Sequence, residues 1–236
     1  MSKDHFEFRH FIVRQDRCAM KVGTDGTLLG AWAEMAVGEG RVLDIGTGTG
    51  LIALMMAQRY PACWVKAIDI DPEACLQAAR NVEESPFADR IEVILADVAD
   101  FTAEERFDAI VSNPPYFQAS LECPDSQRTT ARHTSSLSYA SLISSAFRLL
   151  KDDGRFSLII PDDCLSSLMA EIHLAGFFVS RHWSVRTTPA KPPKRHLIEI
   201  IKHPVDEINI NDCVLQISSG ERSPWYRELT RDFYIR

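Results

Sequence analysis

The chain has 236 residues, 45% of them hydrophobic and 25% charged, and a formal net charge of −7, the profile of an ordinary globular protein able to bury one good core. No apolar run reaches the ~18 residues of a membrane span, and the charged start MSKDHFEFRH has no signal-peptide core. Six cysteines without a C-x-x-C pair suggest neither a zinc site nor a disulfide framework, and scattered thiols fit a reducing cytoplasm.

The expectation is a single domain over 1–236 with a small amino-terminal extension at about 1–36. No metal, no membrane and no obligate protein partner is expected. Residues 6–13 and 18–22 suggest a hairpin, and 25–36 a helix capped by Thr24. RVLDI at 41–45 reads as a buried strand and LIALMMAQRY at 51–60 as a helix. Between them, DIGTGTG at 44–50 places Gly46, Gly48 and Gly50 in a strand-to-helix turn. Glycine there permits tight backbone angles and lets a ligand touch the main chain. The helix that follows turns its amides and positive dipole end toward that ligand, which suits a carboxylate. A dinucleotide fingerprint needs G-x-G-x-x-G, but here the third glycine comes one position early and Leu51 occupies its place, which disfavours NAD or FAD.

WVKAIDID at 64–71 is the next strand. Asp69 lies near its carboxyl end, 25 residues after Asp44 and close to the ~20-residue offset at which a carboxylate grips ribose hydroxyls. Ile70 beside it could pack on a flat ring, with plain core packing as the alternative. Asp71-Pro72 opens a helix, Asp71 as cap and Pro72 in the first turn. IEVILAD at 91–97 is a third strand, followed by Asp97 and Val98 at the position of a bound ligand's polar edge; a solvated loop carboxylate is the alternative.

FDAIVSNPPY at 107–116 is a fourth strand and its exit loop. Two consecutive prolines fix the backbone and remove two amide donors. The Asn113 side-chain oxygen and the Pro114 carbonyl can each accept a hydrogen of one amino group, and Tyr116 offers a face for stacking. This suits an amine whose lone pair is delocalised. Taken with DIGTGTG and Asp69, it points to methyl transfer from S-adenosylmethionine to a planar nitrogen, with positioning and fixed dipoles carrying the catalysis.

A long polar segment follows at 117–136. The pattern then predicts a helix at 138–150, a strand at 155–160, a helix at 163–175, strands at about 177–186 and 196–202, and a last helix capped by Ser223 with Pro224 in its first turn. The acidic net charge is uneven. Arg181, Arg186, Lys191, Lys194, Arg195 and Lys202 face one acid, Glu199, with a proline-stiffened loop, TTPAKPPKRH, at 187–196. Arg128, Arg132 and His133 form a second basic cluster, and Arg9, Arg14, Arg17 and Lys21 a third. These are candidates for a nucleic-acid face.

With these motifs the chain resembles the class I S-adenosylmethionine-dependent methyltransferases of the NPPY amino-methylating group. Through FIVRQDRCAMKVGTDGTLLGAWA at 11–33, NPPYFQ, ECPDSQRTTARH at 122–133 and PDD at 161–163, it resembles the bacterial tRNA(Val) adenine-37 N6-methyltransferase family. The resemblance implies an α/β, Rossmann-like fold with a seven-stranded, mostly parallel sheet and helices on both faces. It implies cofactor contacts at Asp44, Gly46, Asp69 and Asp97, an amine-binding role for Asn113, and a Gly23–Gly26 segment, with Thr24 and Asp25, closing over the methionine end of the cofactor. The partner implied is tRNA, with Arg128, Arg132, Lys191, Lys194 and Arg195 as candidate RNA contacts. Protein glutamine methylation and rRNA guanine amino-methylation are the alternatives.

Overall fold

The computed structural model describes residues 4–16, 21–114, 137–218 and 220–235. In chain order the elements are β1 (His5–Glu7), β2 (Ile12–Arg14), α1 (Thr24–Trp32), β3 (Glu39–Ile45), α2 (Leu51–Arg59), β4 (Ala62–Asp69), α3 (Pro72–Glu83), β5 (Ile91–Leu95), β6 (Phe107–Ser112), α4 (Tyr139–Leu149), β7 (Leu150–Pro161), α5 (Leu165–Leu174), β8 (Phe178–Arg186), β9 (Pro193–Ile201), β10 (Asn209–Val214), β11 (Gln216–Ser218), β12 (Glu221–Arg222) and α6 (Pro224–Leu229).

One mixed sheet runs in the order β10-β8-β9-β7-β6-β3-β4-β5. Only β9 runs against its neighbours, β7 and β8; the other ladders are parallel. The sheet therefore carries one strand more than the expected seven. The addition, β10, pairs with the outer side of β8. Its sequence, NINDCV, buries only Cys213 fully, so backbone pairing holds it and no apolar alternation announces it.

Neighbouring strand residues point to opposite faces, and the core divides accordingly. Val42, Val111, Ile159 and Leu197 pack with α1 and α2, whereas Leu43, Ile110, Leu158 and Ile198 pack with α4 and α5. Helix α2 is buried from Leu51 through Ala57 because α1 covers it. Small residues allow that approach. A Cβ on Gly30 would lie 2.7 Å from the Met55 sulfur, and one on Gly26 3.0 Å from a Leu51 methyl. The same contacts show that α1 and α2 run in the same direction, so their amino-terminal ends emerge together.

Asp71, Ser138 and Ser223 cap their helices by accepting from the amides of Glu73, Ser141 and Tyr226. Thr24 does not cap α1. It is the first helical residue, Gly23 holds the cap position in an extended conformation without a side-chain bond, and the helix stops at Trp32. The hairpin is tighter than expected, with Phe6 opposite Val13; residues 18–20 of the expected second strand lie outside the described residues. Strand β9 begins at Pro193, which shortens the proline-stiffened loop to 187–192.

Candidate functional site

The site forms at the carboxyl ends of β3, β4 and β6, where an open α/β sheet leaves its crevice. Gly46, Gly48 and Gly50 have φ values of 72°, 56° and 80°, all in the left-handed region that favours glycine. A Cβ on Gly46 or Gly48 would meet nothing within 4 Å, so this stretch of backbone faces open space. Gly50 differs. Its Cβ would lie 3.4 Å from the Ala78 Cα, which makes it a packing glycine against α3 and the cap position of α2, not a wall of the crevice.

The turn is fixed by hydrogen bonds across the sheet. The Gly46 and Thr47 amides both donate to the Ile68 carbonyl, at 2.9 and 3.0 Å. The Gly48 amide donates to Asp69 Oδ2 at 2.8 Å, and the Asp71 amide to Asp69 Oδ1 at 3.0 Å. Each Asp69 oxygen keeps lone-pair capacity for a ligand hydroxyl. Asp69 is thus both a brace of the glycine turn and a candidate ribose acceptor. The Ala96 amide donates to the Asp69 carbonyl, which sets the exit of β5, and so Asp97, next to it. Ile70 is 43% exposed, available to a flat ring. Asp97 Oδ1 accepts from the Ala99 amide at 2.9 Å. The Val98 side chain is packed in the second core, which leaves only its backbone for a ligand.

Asp44 has no accessible surface. It lies behind the turn, where Oδ2 accepts from the Thr47 hydroxyl at 2.6 Å and the Ala53 amide at 3.2 Å. It therefore caps α2 from inside and holds the turn without facing the crevice. Its Oδ1 is buried with no hydrogen-bond partner among the described residues. Burial above all pushes its pKa up from 3.8 to about 7, against the lowering effect of its bonds to Thr47 and Ala53. Folding thus takes up a proton between about pH 4 and 7. The contribution of Asp44 to stability falls as pH rises through that window and is level above it. Asp44→Asn, which cannot ionise, is expected to gain stability relative to wild type on going from pH 4 to pH 8, by at most about 4 kcal/mol. Denaturant titrations at the two pH values measure this; a constant difference between the proteins would contradict it.

A cavity of about 350 Å³ opens here, bounded by residues 21–26, residues 46–49, Leu51, Ile52, Asn113 and Arg195. That is within the size range of small-molecule sites. It brings together Thr24, Asp25, Gly46, Gly48 and Asn113 from the expected set. The amino-terminal ends of α1 and α2 both reach it, a setting that favours an anionic group such as a carboxylate. The Ser112 hydroxyl donates to the Ile45 carbonyl at 2.9 Å. This ties the end of β6 to the end of β3 and holds Asn113 opposite the glycine turn; Pro114 is buried behind it. Tyr116, Arg128 and Arg132 lie outside the described residues. The buried asparagine-positioning role of Ser112 was not legible in sequence, where a serine before Asn113 looks like any strand residue.

The structure redraws the basic segment at 181–202. Arg195 Nε bonds Asp25 Oδ2 at 2.6 Å, both side chains mostly covered. Arg195 is therefore a wall of the cavity and a clasp between β9 and α1. Arg181 pairs with Glu34 and the fully buried Glu199, and lies 4.0 Å over the Trp32 ring. Arg186 is held by Asp212, and Lys202 by Asp152 and the Leu150 carbonyl. His182 and His196 bond each other at 3.0 Å, and burial, then His196, holds His182 below its usual pKa. Of the six cations, only the Lys191 and Lys194 side chains form no ion pair among the described residues. In the amino-terminal cluster Arg14 is likewise paired, with Glu84. Among the described residues no helix is long and apolar enough to cross a membrane, and no group of His, Cys, Asp and Glu could hold a metal ion.

Comparison with known proteins bears on the same elements. The model of the methyltransferase small domain family matches residues 25–173. A tRNA1(Val) (adenine(37)-N6)-methyltransferase of Phocaeicola vulgatus is 49% identical over 235 residues, covering 100% of this chain and 99% of that one. Proteins of the same name are 44% identical in Parabacteroides distasonis, with both chains covered in full, and 40% identical in Musicola paradisiaca, over 98% of this chain and 94% of that one. Among solved structures, a predicted O-methyltransferase of Agrobacterium tumefaciens superposes with a TM-score of 0.70 at 20% identity, over 89% of this chain and 96% of that one. The ribosomal protein L11 methylase of Lactobacillus delbrueckii subsp. bulgaricus gives 0.53 at 21% identity, over 75% and 77%. The fold is that of the class I methyltransferases, and the chain belongs to the tRNA1(Val) (adenine(37)-N6)-methyltransferase family.

Proposed function

We propose that this chain methylates the 6-amino group of adenine 37 in the anticodon loop of tRNA(Val), with S-adenosylmethionine as cofactor. The observation that carries the chemistry is one cavity shared by the open glycine turn and Asn113. The relatives' shared name supplies the substrate. When bound, the cofactor supplies a methyl group on a positively charged sulfur that leaves as a neutral thioether. The chain's residues do the rest. The amino-terminal ends of α1 and α2 hold the carboxylate end of the cofactor, and Asp69 accepts from the ribose hydroxyls. Ile70 and Asp97 border the adenosine end. Asn113 and the Pro114 carbonyl accept the two hydrogens of the target amine, which draws its lone pair out of conjugation and toward the methyl group. As the N–C bond forms and the S–C bond breaks, the nitrogen becomes cationic and strongly acidic, so it releases one of its two hydrogens to solvent and no strong base is required. The target base must leave its stack to reach this depth, which suits a loop nucleotide.

A cytoplasmic location fits a tRNA-modifying activity. The experiment that tests the function presents labelled cofactor and the purified chain with tRNA, rRNA, and bulk protein as separate acceptors. Label in tRNA alone is expected; label in protein or rRNA with tRNA blank would contradict the proposal.

Lys191 and Lys194 contact phosphates at the cavity mouth. The double change to alanine is expected to flatten the salt dependence of tRNA binding by about 1.8 in log–log slope, two contacts at about 0.9 each, with cofactor affinity unaltered. An unchanged slope in fluorescence anisotropy would remove this loop from the RNA face. Arg195 is left out of that substitution because its loss would open the Asp25 clasp and disturb the cavity itself.

A further inference from the structure

We propose that a second cleft, between α6 and the last residues of the chain, holds a phosphodiester of the same RNA; the inference rests on the tRNA reading above. The cleft has a volume of about 660 Å³ and is lined by Arg222, Arg227, Glu228, Arg231, Tyr234 and Ile235, among others. In a chain of net charge −7 this concentration of arginine is local.

What sets these arginines apart is how few are spent. Arg231 is taken by Glu228 at 2.6 Å and by Asp232 at 3.5 Å. Arg227 is exposed and forms no ion pair or side-chain hydrogen bond among the described residues. Arg222 forms no ion pair there either. Its guanidinium lies 4.4 Å over the Tyr234 ring and 5.6 Å from that of Tyr226. A guanidinium stacked on a ring keeps its donor edge available, and that edge matches a phosphate's oxygens in a way an ammonium cannot. Tyr234 is firmly placed: its hydroxyl is 3.0 Å from that of Tyr226, and its ring stacks on Phe8. Two guanidinium groups, one held in place against Tyr234 and the other exposed, thus offer donor edges to the phosphate of an RNA backbone. The carboxylate of Glu228 is engaged by Arg231, which lessens its opposition to an anion.

The cleft is distinct from the methyl-transfer cavity. Gln58 in the last turn of α2 donates to the Asp232 carbonyl at 2.9 Å, whereas Gly50 caps the other end of that helix. At 1.5 Å per residue the two ends are about 12 Å apart. A tRNA with its target base in the cavity would meet the cleft with another part of its backbone.

The test is fluorescence anisotropy with full-length tRNA over roughly 50–200 mM salt. Arg222→Ala combined with Arg227→Ala should weaken binding on the order of tenfold and lower the salt slope by about 1.8. Arg227→Glu, at an exposed side chain with no ion pair or hydrogen bond among the described residues, should weaken it with the fold intact by circular dichroism, and Arg227→Lys should largely restore it. Cofactor affinity by calorimetry should match wild type throughout. If wild type binds and methylates tRNA while the double variant and Arg227→Glu bind it equally well, the cleft proposal falls and the tRNA reading stands. If wild type binds no tRNA at any salt, both fall. An acidic peptide that saturates the cleft while leaving tRNA affinity untouched would make it a protein-docking site and overturn the inference.

Discussion

Asn113→Ala is expected to lower turnover by about two to three orders of magnitude, the loss typical of removing one preorganised group from a transition state, while cofactor affinity changes little. Asn113 lies between a strand end tied down by Ser112 and a buried Pro114, so its side chain is delivered by the sheet and not by a mobile loop. Its oxygen accepts from the target amine, and that interaction strengthens as the nitrogen pyramidalises. Such an interaction is lost from turnover more than from substrate binding. Single-turnover kinetics with saturating tRNA, paired with calorimetry of cofactor binding, separates the two. A variant that turns over at wild-type rate would remove Asn113 from the chemistry. A variant that loses cofactor binding to the same degree would make it a cofactor ligand instead.

Asp69→Ala is expected to weaken cofactor binding on the order of a hundredfold, about 2.7 kcal/mol. Hydrogen bonds to a charged acceptor contribute about 1.5–3 kcal/mol each, and two ribose hydroxyls are in question. The same substitution frees the Gly48 and Asp71 amides that Asp69 now holds, so the glycine turn loses its brace as well as its ligand. Asp69→Asn separates these roles. It keeps one oxygen for one amide and loses the charge, so it should fall between wild type and alanine. A folded Asp69→Ala protein with wild-type affinity would place the ribose elsewhere.

The parts of this architecture that repeat a local rule were legible in the sequence. The strand–glycine–helix unit at Glu39–Arg59, the Asp71-Pro72 helix start and the strand that runs into Asn113 each carry their geometry in one short contiguous stretch, and the structure reproduces those elements. What was not legible depends on partners far along the chain. Arg195 read as surface charge, but its partner Asp25 is 170 residues earlier. Arg181 read as one member of a basic cluster, yet it converges with Arg155 on Glu199, whose side chain is completely buried. Asp44 was expected as a ligand from the family resemblance, whereas its side chain is committed to the amide of Ala53 and the hydroxyl of Thr47. The close approach of α1 to α2 at Gly26 and Gly30 likewise depends on a partner helix that nothing local names. Strand β10 was missed because its exposed polar side chains hide a backbone that pairs with β8.

The most direct test of the central claim is the identity of the methylated product. Unmodified tRNA from cells lacking this enzyme, incubated with the purified chain and labelled S-adenosylmethionine, is digested to nucleosides and resolved by chromatography. Label in N6-methyladenosine, from tRNA(Val) and lost with Asn113→Ala, is the predicted result. Label in a methylated guanosine, or in the glutamine of an added protein while tRNA stays blank, would contradict it.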